Sequence, residues 1–340
     1  MRQISIVDTS ISTNNIGDDI IMDSVNKFIY NNFPDAYVWR VASHEVLTSL
    51  GKSRISGSDF CFLGGTNLLS SNLNINGLWR IDEKDCEIFA RTNTICLGVG
   101  WNDYMSDPNE KTKNMMSKIF NGKYLNSTRD NYTKNKLNVA GVEAVFTSCP
   151  TTWSLNRSHC KSIPTKKSDS VVFTLTEWRK NPDIDLKMIR YLKKHYRKIY
   201  FFPQMLADLE YFYSFNEGDV KIISPTLHGY DTFLDNEDID FVGTRLHGGI
   251  RALQKKKRTL IISIDNRSIE MGKDTNLPML ERNKIDSSIS EWIEGENKTE
   301  IDIPYMNLST FMNQFQCVEN KNFFFNIEDI TSHSRKHPSP

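Results

Sequence analysis

Asp240-Phe-Val-Gly-Thr-Arg-Leu-His-Gly-Gly-Ile-Arg-Ala-Leu253 sets the plan of the chain. It opens on a short apolar run, turns at a glycine, and then repeats Leu246, Ile250 and Leu253 at helical spacing. A strand passing through a tight turn into a helix is the unit from which α/β proteins are built. Arg245 and His247 stand at the junction. Gly248 and Gly249 add no side-chain bulk, which lets backbone N–H groups approach a ligand closely. A helix start carries unpaired N–H donors and a partial positive charge, and both suit an anion. With a guanidinium and an imidazole beside it, the natural guest is a phosphate or a carboxylate. Such junctions also occur simply to turn a chain, so the rest of the sequence has to decide.

The same plan recurs on both sides. Ile4 to Asp8 reads as a first strand, a polar loop through Asn15 follows, and Gly17-Asp18-Asp19 opens a helix with Ile21, Val25, Phe28 and Ile29 on one face. Asp19 reads as a first-turn carboxylate favoured by the helix dipole, and Asp18 as one facing a cleft. Asp59 to Asn67 is an apolar strand ending in Gly64-Gly65, and Thr94 to Gly100 ends in glycines again. Open α/β sheets bind ligands at this C-terminal edge. Neither the Gly-x-Gly-x-x-Gly fingerprint nor a Walker loop is present, which argues against NAD and ATP. Leu125 to Asp130 reads as a strand that delivers Arg129 to the rim with Asp130 beside it. The polar, basic stretch 154–168 reads as a linker. A second series of strands and helices follows, with Arg267 just past the strand Thr259 to Ile264.

The expected fold is therefore α/β, with two doubly wound Rossmann-like domains and a cleft between them. The expected bounds are 1–155 for the first domain, 165–320 for the second and 321–340 for a tail. A chain of 340 residues is long enough for two cores. Its 42 basic and 42 acidic side chains balance, so no global field favours nucleic acid. Six scattered cysteines form no Cys-x-x-Cys pair, so no metal site is expected. Cys149 is a nucleophile candidate without an evident base. The basic run Lys255 to Arg258 reads as solvated, and Ser288-x-x-Glu291 as a capping box. Leu308, Phe311, Met312 and Phe315 mark a late amphipathic helix, expected to pack back across the domains. The N-terminus enters a strand with no signal-peptide layout, which points to the cytoplasm.

Six patches in order resemble the polysaccharide pyruvyl transferase family: Asn15-Ile-Gly-Asp18, Gly64-Gly-Thr-Asn-Leu-Leu69, Thr128-Arg-Asp130, Ser148-Cys-Pro150, Thr244-Arg-Leu-His-Gly248 with Ala252-Leu253, and Ile264-Asp-Asn-Arg267. The resemblance implies a glycosyltransferase-B-like fold with the active site in the cleft between domains. It implies no cofactor and no obligatory metal. The donor would be phosphoenolpyruvate and the acceptor a sugar hydroxyl pair on a glycan or lipid-linked sugar. A lipid-linked acceptor would bring peripheral contact with a membrane. The product would be a pyruvate ketal plus phosphate.

The residues can be set against that chemistry. Arg129, Arg245 and Arg267 are clamps for the donor's anionic groups. Asn15, Gly17, Gly64, Gly65 and Gly248 line the binding rim. His247 is the acid–base candidate, with Asp18 or Asp130 as base or acceptor anchor. The sequence departs from the family pattern twice: Thr66 stands where a further glycine is usual, and Arg267 where lysine is usual. Two other readings fit the same scaffold: a nucleotide-sugar-dependent glycosyltransferase, and a non-catalytic glycan- or anion-binding protein.

Overall fold

The computed structural model describes residues 1–315 apart from Gly77. The expected tail, 321–340, lies outside the described residues. The chain forms two compact units. The first comprises Met1–Ser12 and Ile21–Arg157, and is joined by the described residues from Ile303 to Phe315; the second comprises Thr13–Ile20 and Ser158–Asp302.

In the first unit, strands β1 (Gln3–Asp8), β2 (Tyr37–Ala42), β3 (Phe60–Gly64) and β4 (Asn93–Leu97) make a parallel sheet in the order β2-β1-β3-β4. Ile4 to Asp8 and all of β3 are buried, as expected for strands covered on both faces, whereas edge strand β2 is mostly open. The chain leaves β1 for β2 and then returns to pair β3 on the other side of β1. The rim therefore reverses direction between the ends of β1 and β3. Strands β5 (Asn126–Thr128) and β6 (Ala144–Phe146) pair with each other. They join the main sheet through a bridge from Thr128 to Val99 and through Asn126 and Ser127 side chains bonded to the Cys96 and Gly98 amides.

The second unit holds a six-stranded parallel sheet in the order β12-β11-β10-β7-β8-β9. Its strands are β7 (Ser170–Thr174), β8 (Lys198–Phe201), β9 (Lys221–Ile222), β10 (Asp240–Gly243), β11 (Thr259–Ser263) and β12 (Met279–Glu281). Here the reversal falls between β7 and β10, so the residues after Thr174 and after Gly243 become neighbours at the sheet's C-terminal edge.

The division of the chain differs from the expected 1–155 and 165–320. The helix Tyr305–Asn313 comes last, yet it packs in the first unit. Its stripe of Leu308, Phe311 and Met312 is buried, and Phe311 and Phe315 meet the ring of Phe28, with Phe33, Phe60 and Phe62 also around Phe315. Conversely, Thr13–Ile20 at the start of the helix Ile16–Asn32 belongs with the second unit. The stretch read as a linker contains a short helix, Arg157–Lys161, and the units divide within it.

Two local expectations are corrected. Arg258 is not solvated: it is 2% exposed, pairs with Asp240 at 2.6 Å, stacks on Trp292 and bonds the Ile293 and Gly295 carbonyls at the end of the helix Ile285–Glu294. A guanidinium with this many partners is stable in the interior where a bare charge would not be. Ser288-x-x-Glu291 is not a capping box either. The turn Arg282–Lys284 already starts this helix at Ile285, which leaves Ser288 inside it. Among the described residues, no helix is long and apolar enough to cross a membrane.

Candidate functional site

Arg245 is the N-cap residue of the helix Leu246–Gln254, in extended conformation, and no side chain caps that helix. Its first-turn N–H groups lack intrahelical acceptors, so the helix start keeps its partial positive charge. The guanidinium is buried. Its Nε donates to Asp208 at 2.9 Å and to the Leu175 carbonyl at 3.2 Å, and Nη2 reaches both Asp208 oxygens. Asp208 is fully buried and also accepts from the amides of Glu177 and Met205. Burial pulls the Arg245 pKa below its ordinary value, Asp208 pulls it back, nearby Arg267 lowers it and Asp18 raises it.

Arg245 is thus a structural member of the fold as well as a clamp candidate. An Arg245→Ala change would leave the buried Asp208 without its cationic partner, holding only the Glu177 and Met205 amides. The sequence did not point to Asp208, which lies 37 residues from its partner. Trp178 was also missed. It sits in the short turn Glu177–Arg179 after β7, with the Arg245 guanidinium 3.9 Å and the Arg267 guanidinium 5.6 Å from its ring centre. Arg267 lies in the first turn of the helix Asn266–Thr275 and donates through Nε to Asp265 at 2.9 Å, with Nη2 on the same oxygen. Neither Nη1 group, on Arg245 or on Arg267, makes a hydrogen bond to a described residue.

The segment from Thr13 to Ile20 completes this rim. Asn15 Oδ1 accepts the Gly17 amide at 3.1 Å, and Asp18 accepts from Thr13 Oγ1 at 2.8 Å and Asn15 Nδ2 at 3.4 Å. Gln204, a third residue that sequence reasoning passed over, holds the segment in place. Its carbonyl accepts the Ile16 amide at 3.0 Å, and its buried side chain lies between Gly17 and Gly248. A Cβ at Gly248 would run into Gln204 Nε2, so that glycine makes room for a protein side chain. His247 is buried in the same helix turn. The second unit therefore brings together Asn15, Gly17, Asp18, Arg245, His247, Gly248 and Arg267.

The remaining candidates lie in the first unit. Arg129 is 1% exposed; Nε donates to Asp130 at 3.1 Å, while Nη1 and Nη2 are buried without a partner among the described residues. Gly100 lies against this guanidinium, where any Cβ would collide with it. Asp130 caps the helix Asn131–Val139 through the Thr133 amide at 2.7 Å, so both of its oxygens are engaged. Gly64 and Gly65 face helix Ile16–Asn32: a Cβ would meet Met22 Sδ at 2.9 Å or Ile21 at 2.5 Å. Thr66 holds a left-handed backbone (φ 52°), a conformation that glycine adopts without strain. Cys149 is buried and burial raises its pKa, which is the wrong direction for a nucleophile.

Two parallel α/β units of this kind make a glycosyltransferase-B-like fold. The model of the polysaccharide pyruvyl transferase family matches residues 15–266, and the chain belongs to that family. In fold the chain is similar to a Methanocaldococcus jannaschii UDP-GlcNAc 2-epimerase in complex with UDP-GlcNAc and UDP, with TM-score 0.52 and 11% identity over 92% of this chain and 98% of that one. The E. coli heptosyltransferase WaaC with ADP aligns with TM-score 0.42 and 13% identity, over 85% of this chain and 99% of that one. No curated protein matches the sequence.

Proposed function

We propose that this protein moves the pyruvyl carbons of phosphoenolpyruvate onto a hydroxyl pair of a glycan or glycolipid sugar, forming a ketal and releasing phosphate. The observation that carries the reading is the pair Arg245 and Arg267, whose guanidiniums meet at Trp178 beside the uncapped helix that bears His247. Two cations with spare N–H groups next to a helix start match a small donor bearing phosphate and carboxylate. Membership of the polysaccharide pyruvyl transferase family supports this reading.

In this scheme His247 delivers a proton to the donor's methylene carbon, which makes C2 electrophilic. One sugar hydroxyl oxygen bonds to C2, and its proton passes to Asp18. The second hydroxyl oxygen then bonds to C2 as the C2–O bond to phosphate breaks, and its proton leaves with the phosphate. We assign the base role to Asp18 because it belongs to the same unit as His247 and its charge acts on Arg245, whereas Asp130 caps the helix Asn131–Val139 in the other unit. Arg129, with two nitrogens that bond no described residue, is assigned to an anionic substrate group. A location in the cytoplasm, where phosphoenolpyruvate is made, belongs to the same reading.

The test is phosphate release from phosphoenolpyruvate in the presence of an acceptor panel. Wild type releases phosphate and His247→Ala does not, while still unfolding in one cooperative transition. Full activity in His247→Ala removes the role of His247. Release of a nucleoside diphosphate from a nucleotide sugar makes the protein a glycosyltransferase, and tight phosphoenolpyruvate binding without turnover makes it a binding protein.

A further inference from the structure

Trp178 is a large apolar side chain left 42% exposed, yet it is held from both sides. The Glu177 amide is bonded to Asp208 at 3.1 Å, and the Arg179 carbonyl is bonded by Arg282. Its neighbours Leu175 and Thr176 continue β7 at the point where the sheet reverses. Onto the ring of this backbone-anchored residue come two guanidiniums from two further elements: Arg245 from the turn after β10 and Arg267 from the helix after β11. Like charges this close repel, and each is tied on one edge by its own carboxylate, Asp208 or Asp265. The ring's negative face is the element common to both, and such contacts are worth about 0.5–2 kcal/mol each.

We infer that Trp178 is a positioning residue for the anionic donor: its indole sets the separation and orientation of Arg245 and Arg267, and so of the two Nη1 groups that remain unbonded. This rests on the reading of the site as one for phosphoenolpyruvate, and it adds a residue that makes no bond in the chemistry. Because the carboxylates fix only one edge of each guanidinium, the flat faces need a second constraint, and Trp178 supplies it. An aromatic ring of any kind would preserve the constraint in part; an aliphatic side chain would not.

The experiment compares wild type, Trp178→Phe and Trp178→Ala in two assays: calorimetric binding of inorganic phosphate and of phosphoenolpyruvate, and steady-state turnover. The expected result for Trp178→Ala is a Kd for both anions and a KM for phosphoenolpyruvate raised about tenfold, which is the size of one to two cation–π contacts. Its kcat and acceptor KM stay within about twofold, and it still unfolds cooperatively, with a midpoint lowered by no more than the lost cation–π contacts account for. Trp178→Phe recovers most of the loss. Unchanged anion binding in Trp178→Ala overturns the inference, as does an equal loss in Trp178→Phe, or a rise confined to the acceptor KM. Weakened phosphate binding in Trp178→Ala, in a wild type that never turns over phosphoenolpyruvate, supports Trp178 and removes the proposed reaction. A wild type that binds neither anion overturns both.

Discussion

Arg129 in the first unit and Arg245 in the second are both buried guanidiniums, 1% and 4% exposed, near the C-terminal ends of parallel strands. Arg245 is paired through two nitrogens to Asp208, bonded to a carbonyl and stacked on an indole. Arg129 has one bond, from Nε to Asp130, and two buried nitrogens with no partner among the described residues. Burying a charge without partners is costly, so such groups in native proteins persist where something else answers them. The contrast teaches that one arginine is bonded chiefly to the fold while the other has most of its bonding capacity left for a ligand. The first is expected to show in stability and the second in binding.

The largest effect should come from separating Arg245 and Asp208. Arg245→Ala or Asp208→Asn leaves a buried charged partner and should destabilise the second unit by about 3–5 kcal/mol, read by urea unfolding. A loss below about 1 kcal/mol would mean that Arg245 is as uncommitted as Arg129. Next is Arg129→Met. Asp130 keeps its helix cap, so the stability loss should be about 1–2 kcal/mol, while phosphate release falls by at least about 100-fold. A stability loss equal to that of Arg245→Ala would erase the distinction. Gly100→Ala should reproduce the Arg129 phenotype, because its methyl group collides with the guanidinium; a fully active Gly100→Ala enzyme would show that Arg129 need not hold its place. The smallest effect concerns the neighbouring rim. Thr66→Gly relieves a left-handed backbone and should raise stability by about 1 kcal/mol, seen as a higher unfolding midpoint. A lower midpoint would mean that the Thr66 side chain contributes more than its strain.

Much of this was legible from short-range pattern. The apolar runs ending in glycine at 60–65, 94–100 and 240–243 are buried strands or their exits, and the junction at Arg245 is a helix start. Period and punctuation act over a few residues, so they survive in one dimension. The pairing of β7 with β10 does not, because strands β8 and β9 lie between them in the chain. That pairing is what carries Trp178 to Arg245. Asp208 escaped notice because an acidic residue near a helix start is ordinarily a dipole partner exposed to water. Gln204 escaped because its role is to fill the space over two glycines, and packing leaves no motif. Arg258 was misread as solvated because a basic run says nothing of a distant Asp240 or of the helix end that needs its N–H groups. The late helix declared its apolar stripe and a return across the domains, but not its partners, which are the phenylalanine rings of a unit that the chain left long before.

The most direct measurement is mass spectrometry of glycans and glycolipids incubated with the purified protein and phosphoenolpyruvate, with phosphate counted in parallel. The account predicts an acceptor that gains one pyruvate less one water, phosphate in equal amount, and loss of both in His247→Ala. An acceptor that gains a sugar from a nucleotide donor, or remains unmodified while phosphoenolpyruvate stays intact across a panel of diverse glycans, would contradict it.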